Sequence, residues 1–211
     1  MSTFAAVLKT PPDQIQQQQH QQHQHQQQQH QPHNLESNWV LWAHNPTDAM
    51  WELSSYIKLA EFETIEHVII ATRALTPMMT RTCMLFMMRK GVTPRWEDSA
   101  HCNGGAFSYK VPTDRVHITW CTLMRVIAGN SLGKTGPGFG GPKLEKPESK
   151  FGTKIDQVSS INNQISGASI SAKRGSCIIK VWMKTKTIQD PKVFTTFEGL
   201  IPNRCLFKSF V

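Results

Sequence analysis

The sequence lacks the features that mark several common classes of protein. No apolar run approaches the roughly 20 residues that a membrane-spanning helix needs, and the best candidate, residues 68–75, is interrupted by Arg73. No basic segment followed by an apolar stretch stands at the N-terminus, so we expect no secretory signal. The five cysteines are dispersed without a close pair, which argues against a disulfide framework and against zinc. These absences predict no membrane partner and no metal site, and they make the cytoplasm or the nucleus the default location.

Catalytic motifs are also scarce. The sequence contains no nucleophile elbow, no zinc-protease helix and no dinucleotide-binding glycine fingerprint. Residues 131–135 resemble the end of a phosphate-binding loop, but Gly129 stands one residue too close and the segment follows a helical pattern. The carboxylate pair Glu97-Asp98 has no neighbour that would complete an acid or metal site. The sequence therefore predicts a protein that is not an enzyme and holds no cofactor.

Basic residues outnumber acidic ones by 23 to 15, for a net charge of +8. Such an excess favours a polyanionic partner, because lysine and arginine neutralise phosphates and release counterions. A basic surface without a ligand is also common, so the charge supports a nucleic-acid partner only modestly.

Composition divides the chain into three kinds of segment. Residues 14–31 are almost entirely glutamine and histidine, and such a tract cannot bury apolar surface, so residues 1–33 are predicted to form a disordered tail. Residues 34–211 have the size of a single domain. Within them, residues 130–154 are rich in glycine, proline and lysine, which is typical of a long, mobile, basic loop.

Hydrophobic periodicity in the folded part predicts more strands than helices. One helix is expected to start at the N-cap Thr64 and to end before Pro77, and another to start at residues 112–114 and to end at Gly129. At most one short helix is expected within residues 191–211. Strands are predicted over residues 38–42, 55–60, 83–89, 104–109, 164–172, 177–184 and 205–210. Hairpins without regular strand-helix alternation are typical of an α+β fold with an antiparallel sheet.

Tryptophan is conspicuous, with six residues against two tyrosines. Trp39, Trp42 and Trp120 fall within strand or helix patterns, so they are expected to pack in the core. Trp51 and Trp96 stand in polar, turn-rich segments that offer no apolar face to join. That placement is typical of exposed residues that stack on a ligand.

The adjacent pair Trp96-Glu97 suggests which ligand. An indole offers an electron-rich face and a carboxylate offers acceptor oxygens, so the pair suits a flat cationic ring with donors on one edge. N7-methylguanine, the base of the mRNA cap, is such a ring. Trp51 is a candidate for the opposite face, and Trp182, at the end of a predicted strand, suits either the core or a pocket wall.

The order of the motifs resembles a known family. In sequence order they are Trp39-Val40-Leu41-Trp42, Trp51, Phe62-Glu63-Thr64-Ile65-Glu66, Gly91-Val92-Thr93-Pro94-Arg95-Trp96-Glu97-Asp98, Gly104-Gly105, Trp120 and Trp182. Over about residues 34–182 this order resembles translation initiation factor 4E, the family of mRNA cap-binding proteins. The resemblance implies a curved antiparallel sheet with helices on its convex face and the cap pocket on its concave face. It also implies a role in translation initiation for a protein that binds the 7-methylguanosine triphosphate of capped mRNA.

The resemblance assigns roles to the pocket residues. Trp51 and Trp96 would sandwich the methylated guanine, Glu97 would accept the two donors on its edge, and Trp182 would contact the methyl group. Stacking on a cationic ring is stronger than on a neutral one, which would give specificity for methylation.

The phosphate contacts implied by the resemblance are altered. Lys173 stands where the family has a phosphate-binding arginine, and Arg174 beside it is the alternative. A second basic position holds Ile178, for which Lys180 on the same strand face is the candidate replacement, and a third holds Ala106. We therefore expect a bare cap nucleotide to bind more weakly than in typical members, with the basic loop as an auxiliary clamp.

The implied partner surface is altered too. Family members dock scaffold proteins through an exposed tryptophan on the first helix, and Ile69 occupies that position here, with Ile65 and Val68 close by in the helix. Cys121 and Arg125 fall on the neighbouring part of that surface. The expected partner is a scaffold of the initiation factor 4G type or a lineage-specific replacement, and these departures suggest a divergent paralogue such as those of trypanosomatid-type protists.

Other functions remain open at this point. A cap-binding repressor or mRNA storage factor would share the pocket but use the altered partner surface differently. A decapping enzyme would need Glu97 and Asp98 to hold a metal, and a non-specific RNA-binding module would ignore methylation.

Overall fold

The computed structural model of the chain describes residues 31–133 and 161–210. The strands of these ranges are β1 (Asn34–His44), β2 (Tyr56–Thr64), β3 (Met84–Arg89), β4 (Gly105–Pro112), β5 (Ile165–Lys173), β6 (Ser176–Met183) and β7 (Cys205–Ser209). The helices are α1 (Ile65–Ala74), α2 (Pro77–Thr82) and α3 (Val116–Ala128), with short 3₁₀ helices at Leu53–Ser55, Pro191–Val193 and Pro202–Arg204.

The strands form a single curved sheet in the order β2-β1-β3-β5-β6-β4-β7, and every neighbouring pair is antiparallel. The helices pack against one face of it. This architecture confirms the predicted α+β class. No helix in the described ranges is long and apolar enough to cross a membrane.

The main core lies between the sheet and α3. Val116, Trp120, Leu123 and Ile127 are all buried, which confirms the predicted core stripe of this helix. Trp39 from β1 joins the same core. Because these residues recur every three or four positions, one face of α3 is apolar and the other remains exposed.

A smaller apolar cluster lies on the opposite face of the sheet. It consists of the buried residues Tyr56, Phe86, Met88 and Trp182. Trp42 packs against this cluster, as expected for a core tryptophan, but it is only partly buried and does not join Trp39 and Trp120. Neighbouring residues of a strand point to opposite faces, and Trp42 therefore cannot share the face of its neighbour Leu41.

The helix starts and stops differ in part from the prediction. Thr64 caps α1, accepting a hydrogen bond from the backbone N–H of His67, and the helix ends before Pro77 as predicted. Pro77 then starts α2, which the sequence reading missed, as its first residue after the cap Thr76. Proline at that position needs no N–H and has a helical φ, so it begins helices as well as ending them.

The second predicted helix begins later than expected. Pro112 is the last residue of β4, opposite Ser176, and α3 starts only at Val116. Proline is tolerated there because the pairing of β4 with β7 has already ended at Tyr109. The C-terminal region holds two 3₁₀ helices where one short helix was expected.

The described residues from Asn34 onward belong to one compact unit. The expected disorder of the glutamine-rich tail and most of the predicted mobile loop lie outside the described residues. The first residues of that loop are held in place, since Asn162 accepts from Gly133 N at 2.8 Å and donates to the carbonyl of Asn130 at 2.7 Å.

Candidate functional site

A cavity of about 240 Å³ opens on the face of the sheet opposite the helices. Two loops and the four strands β2, β3, β5 and β6 contribute its walls. The lining residues are Trp51, Tyr56, Met84, Phe86, Arg95, Trp96, Glu97, Ser169, Ser171, Lys180 and Trp182. The structure thus brings together five of the residues predicted from sequence: Trp51, Trp96, Glu97, Lys180 and Trp182.

Trp182 belongs to the buried wall of this cavity. Its side chain is only 6% exposed, and its Nε1 donates to Ser169 Oγ at 2.9 Å. Phe86 and His101 meet the indole at steep angles, with ring centroids 6.3 and 5.1 Å away. Both interpretations from sequence therefore hold, because the residue packs in an apolar cluster and also faces the cavity.

Trp51 stands on the loop between β1 and β2, and it is 49% exposed. The ring of His44 stacks on it at a centroid distance of 4.3 Å with the planes 8° apart. His44 is itself fixed, because its Nε2 donates to the carbonyl of Met50 at 2.9 Å. One face of the indole is thus covered, which leaves the other for a ligand.

Trp96 stands on the loop between β3 and β4 and is 51% exposed. The carboxylate of Asp98 holds this loop, accepting from Thr93 N at 2.8 Å, Thr93 Oγ1 at 2.7 Å and Ala100 N at 2.9 Å. His101 adds a bond from its Nε2 to the carbonyl of Arg95 at 2.6 Å. These bonds fix the backbone on both sides of the exposed indole.

The charge state of Asp98 reflects those bonds. Burial alone would raise the pKa of its carboxyl group, but the hydrogen bonds from Thr93 and Ala100 and the charge of His101 lower the pKa below its usual value. Both carboxylate oxygens of Asp98 accept hydrogen bonds within this loop, so Asp98 does not form a joint site with Glu97. No group of three or more metal-ligating side chains was found in the part of the chain that the structure describes.

Arg95 links the two tryptophan-bearing loops. Its guanidinium lies 3.4 Å from Glu52, next to Trp51, and 3.6 Å from Glu97. Burial raises the pKa of Tyr56, the nearby charge of Glu97 adds to this, and Arg95 opposes it. The carboxylate of Glu97 therefore faces the cavity with one cation beside it and with the phenol of Tyr56 close by.

The basic side of the cavity is formed by Lys180. Burial lowers the pKa of its ammonium group, and the charges of Lys173 and Lys208 lower it further. Lys173 is exposed and does not line the cavity, although its charge acts there. Arg174 is exposed in the β5–β6 turn and also lies outside the lining, so the structure does not bring Arg174 into the site as expected.

Lys208 is the functional candidate that the sequence reading missed. It lies opposite Ala106 in the pairing of β4 with β7, and Ala106 lies opposite Trp182 in the pairing with β6. Cross-strand partners share a face of the sheet, so Lys208 stands on the cavity face beside the position that lacks a basic side chain. The alternation Leu206, Lys208, Phe210 in the last strand was the available signal.

A second, apolar groove of about 280 Å³ lies on the helical face of the sheet. Its lining residues are Leu35, Ile65, Val68, Ile69, Arg125, Ala128 and Gly129, which include four of the five predicted partner residues. Cys121 is the exception: it is 5% exposed and its thiol points to the carbonyl of Thr72 at 3.6 Å. Cys121 therefore packs beneath the surface, where α3 meets α1.

Comparison with known proteins defines the family. Residues 34–200 match the family model of eukaryotic initiation factor 4E, and the chain therefore belongs to this family. It is 27% identical over 126 residues to eukaryotic translation initiation factor isoform 4E of Arabidopsis thaliana, over 56% of this chain and 63% of that protein. It is 28% identical over 109 residues to eukaryotic translation initiation factor 4E-2 of Schizosaccharomyces pombe, over 49% of this chain and 45% of that protein.

A solved structure shares the fold. Schistosome eIF4E complexed with m7GpppG and 4E-BP has a TM-score of 0.56 at 21% identity, over 75% of each chain. The chain spans less than two thirds of the length of the two sequence relatives from Arabidopsis thaliana and Schizosaccharomyces pombe. The low identities agree with a divergent family member, while the suggested trypanosomatid type stays a prediction.

Proposed function

We propose that this chain binds the 7-methylguanosine cap of mRNA and takes part in translation initiation through a protein partner. The observation that carries the proposal is the pairing of two half-exposed indoles, Trp51 and Trp96, on the rim of one cavity whose buried wall is Trp182. A planar base placed between the two indoles would be stacked on both faces. The solved complex of schistosome eIF4E with m7GpppG supports the same kind of ligand.

Glu97 gives this cavity its preference for a methylated base. N7-methylation makes guanine cationic, and the two indole faces and the carboxylate all attract a cation more strongly than a neutral ring. The carboxylate also accepts the two N–H donors of the guanine edge. The methyl group would lie against Trp182, which is apolar on the side that lines the cavity.

The triphosphate would lie beside Lys180 and Lys208, with Lys173 adding charge at longer range. A phosphate next to Lys180 would offset the burial and the like charges that lower the pKa of this lysine. The two aromatic stacks, rather than the phosphates, are expected to supply most of the affinity, since Ala106 and Ile178 offer no charge.

Tryptophan fluorescence quenching tests the proposal. Quenching of the wild-type chain should be stronger with 7-methyl-GTP than with GTP. Trp96→Ala is expected to weaken 7-methyl-GTP binding by about tenfold or more, because a stacked base contributes about 1–3 kcal/mol. Glu97→Gln should reduce the ratio of the two affinities.

Matched controls are available on the helical side. Met78→Ala removes an exposed apolar side chain of α2, and Asp114→Asn removes an exposed carboxylate that pairs with its neighbour Arg115. Both variants should bind like the wild type. Equal quenching by the methylated and unmethylated nucleotides would refute cap recognition and favour a non-specific RNA-binding module.

The apolar groove on the helical face is the proposed site for the partner. Its apolar walls Leu35, Ile65 and Ile69 suit an amphipathic helix of a scaffold of the 4G type or a lineage-specific replacement. The complex of schistosome eIF4E with 4E-BP supports a protein partner.

Capture of partner proteins from a cell lysate, followed by their identification, distinguishes a role in initiation from a role in repression. The intact chain should recover a scaffold together with a helicase if it works in initiation. Decay or storage factors alone would refute that role and favour a repressor. We propose the cytoplasm as the site of action, and cell fractionation would test this.

A further inference from the structure

A third cavity, of about 550 Å³, opens at the end of the sheet where the β5–β6 turn, the end of β4 and the start of β7 meet. We refer to it as the terminal groove. It is lined by Lys110, Pro112, Gly175, Ser176, Asn203, Arg204, Cys205 and Leu206. None of these residues lines the cavity formed around Trp51, Trp96 and Trp182, which we call the tryptophan cavity. The proposed recognition of the cap nucleotide therefore does not use them.

Strand register shows that the two cavities share one face of the sheet. Ser108 of β4 lies opposite Lys180 on one side and opposite Leu206 on the other. Lys180 lines the tryptophan cavity and Leu206 lines the terminal groove. Neighbouring strands are about 4.8 Å apart, so two strand spacings, or about 10 Å, separate Lys180 from Leu206.

The path between the cavities is basic. Lys208 and Lys110 lie on the same face of the sheet, and Arg204 stands at the rim of the groove. All three side chains are exposed, and none forms an ion pair with a carboxylate of the described residues. Unpaired cations in a row suit a polyanion better than a single charged group.

The groove also offers what a nucleotide needs besides its phosphate. Leu206 is 77% exposed, and with Pro112 it provides an apolar surface for a base or a ribose. The exposed Asn203 provides a side-chain donor and acceptor at the edge. A strand of nucleotides leaving the phosphate end of the first cavity would meet these groups without leaving the sheet face.

We propose that the terminal groove binds the RNA strand that follows the cap, with Lys110 and Arg204 contacting its phosphates. This inference rests on the proposed cap-binding function, because the cap fixes the direction in which the strand leaves. Continuity with the phosphate lysines and the lack of described carboxylates favour RNA over a peptide. Contacts to phosphates and to a base face without base-edge readout predict little dependence on RNA sequence.

Binding of four ligands tests the inference, with an acidic peptide as a competitor. The ligands are 7-methyl-GTP, GTP, a short capped oligoribonucleotide and its uncapped twin, each titrated into the full chain at low salt and at about 0.15 M salt. The double variant Lys110→Gln/Arg204→Gln is compared with the charge-matched control Arg73→Gln/Lys192→Gln, whose exposed side chains lie outside both cavities.

The wild-type chain should bind the capped oligonucleotide more tightly than 7-methyl-GTP. The groove variant should lose about fivefold in affinity for the capped oligonucleotide at low salt, as expected for two exposed charge contacts. Its affinity for 7-methyl-GTP should stay unchanged. The slope of log affinity against log salt should fall by about 1.4, from about 0.7 per single-strand phosphate contact.

Three results would overturn the inference. One is a capped oligonucleotide that binds no more tightly than 7-methyl-GTP, and another is an equal loss for the groove variant and its control. The third is an acidic peptide that competes as well as the uncapped RNA does. A failure of the cap-binding function itself looks different, because 7-methyl-GTP and GTP would then bind the wild-type chain equally.

Discussion

His44 stacks against Trp51 with ring centroids 4.3 Å apart and planes only 8° from parallel. The histidine is buried at the end of β1, whereas the tryptophan is half exposed on the loop that follows. A rigid strand thereby fixes the orientation of an indole that its own loop would leave free. Orientation fixed before binding lowers the entropic cost of binding a ligand.

Loss of this stack should weaken binding of the cap nucleotide. We expect His44→Ala to reduce 7-methyl-GTP affinity by about fivefold, because aromatic pairs contribute about 1 kcal/mol. His44→Phe keeps a stacking ring but not the bond to the carbonyl of Met50, so it should restore most of the affinity. Quenching titrations of the three chains check this, and equal affinities would show that the stack has no role in binding.

Lys180 is expected to lower the stability of the fold and to strengthen binding of the cap nucleotide. Burial and the charges of Lys173 and Lys208 lower its pKa, so the charged form is unfavourable in the free protein. Lys180→Met should therefore raise Tm while reducing 7-methyl-GTP affinity about tenfold, as for the loss of a charge-assisted bond. A gain of about 1 kcal/mol would appear as about 2–4 °C for a chain of this size.

The pH dependence of binding follows from the same shift. Because the folded-state pKa of Lys180 is lowered, the ammonium loses its proton at a lower pH than an ordinary lysine. Its contribution to phosphate binding should be complete below that pKa and disappear as pH rises through it. Lys192→Met, at an exposed lysine, is the control for both measurements, and an unchanged Tm with unchanged affinity would exclude this role of Lys180.

Asp98 should control the loop that presents Trp96. Its three hydrogen bonds are lost in Asp98→Ala, and we expect a loss of about 1–2 kcal/mol in the free energy of unfolding together with weaker 7-methyl-GTP binding. Since the folded-state pKa of this carboxyl group is lowered, its stabilisation is present above the unfolded-state pKa and is lost as pH falls through the folded-state pKa. Urea unfolding at several pH values measures this. A variant whose stability has the same acid dependence as the wild type would contradict the assignment.

Ile65→Asp should impair partner binding in the apolar groove on the helical face without changing nucleotide binding in the tryptophan cavity. Ile65 is the first residue of α1 and 43% exposed, and an acid in the first turn favours the helix dipole, so the fold should be retained. The charge nevertheless occupies an apolar wall of the groove. Scaffold binding should fall at least about tenfold, as for the loss of an interface anchor, while 7-methyl-GTP affinity remains unchanged. Loss of both would indicate a damaged fold, which circular dichroism would detect.

Local pattern was enough for much of the fold. The alternation in the strands, the cap at Thr64 and the apolar stripe of α3 are properties of neighbouring residues, and all of them appear in the structure. The errors fall where a proline had two meanings, at Pro77 and Pro112, because the same residue suits the end of one element and the start of another.

The candidate site likewise contains residues that the sequence indicates and residues that only the structure reveals. Trp51, Trp96 and Glu97 stand out in the sequence because they lie in polar segments, and their motif order resembles a family. His44 carries no such local signal, and Lys208 has only the alternation of the last strand. Their roles depend on residues distant in sequence or in separate strands, such as the partners of Lys208 across β4.

The sequence by itself determined most of the elements, the absence of an obvious catalytic motif and the residues able to stack on a cationic base. Tertiary structure decided which of these meet. Strand register placed Lys208 beside Ala106, extended the basic face to the terminal groove and left Arg174 outside the cavity. Periodicity reports only whether a residue is buried along its own element, whereas the neighbours of a side chain across a sheet depend on pairing between distant segments.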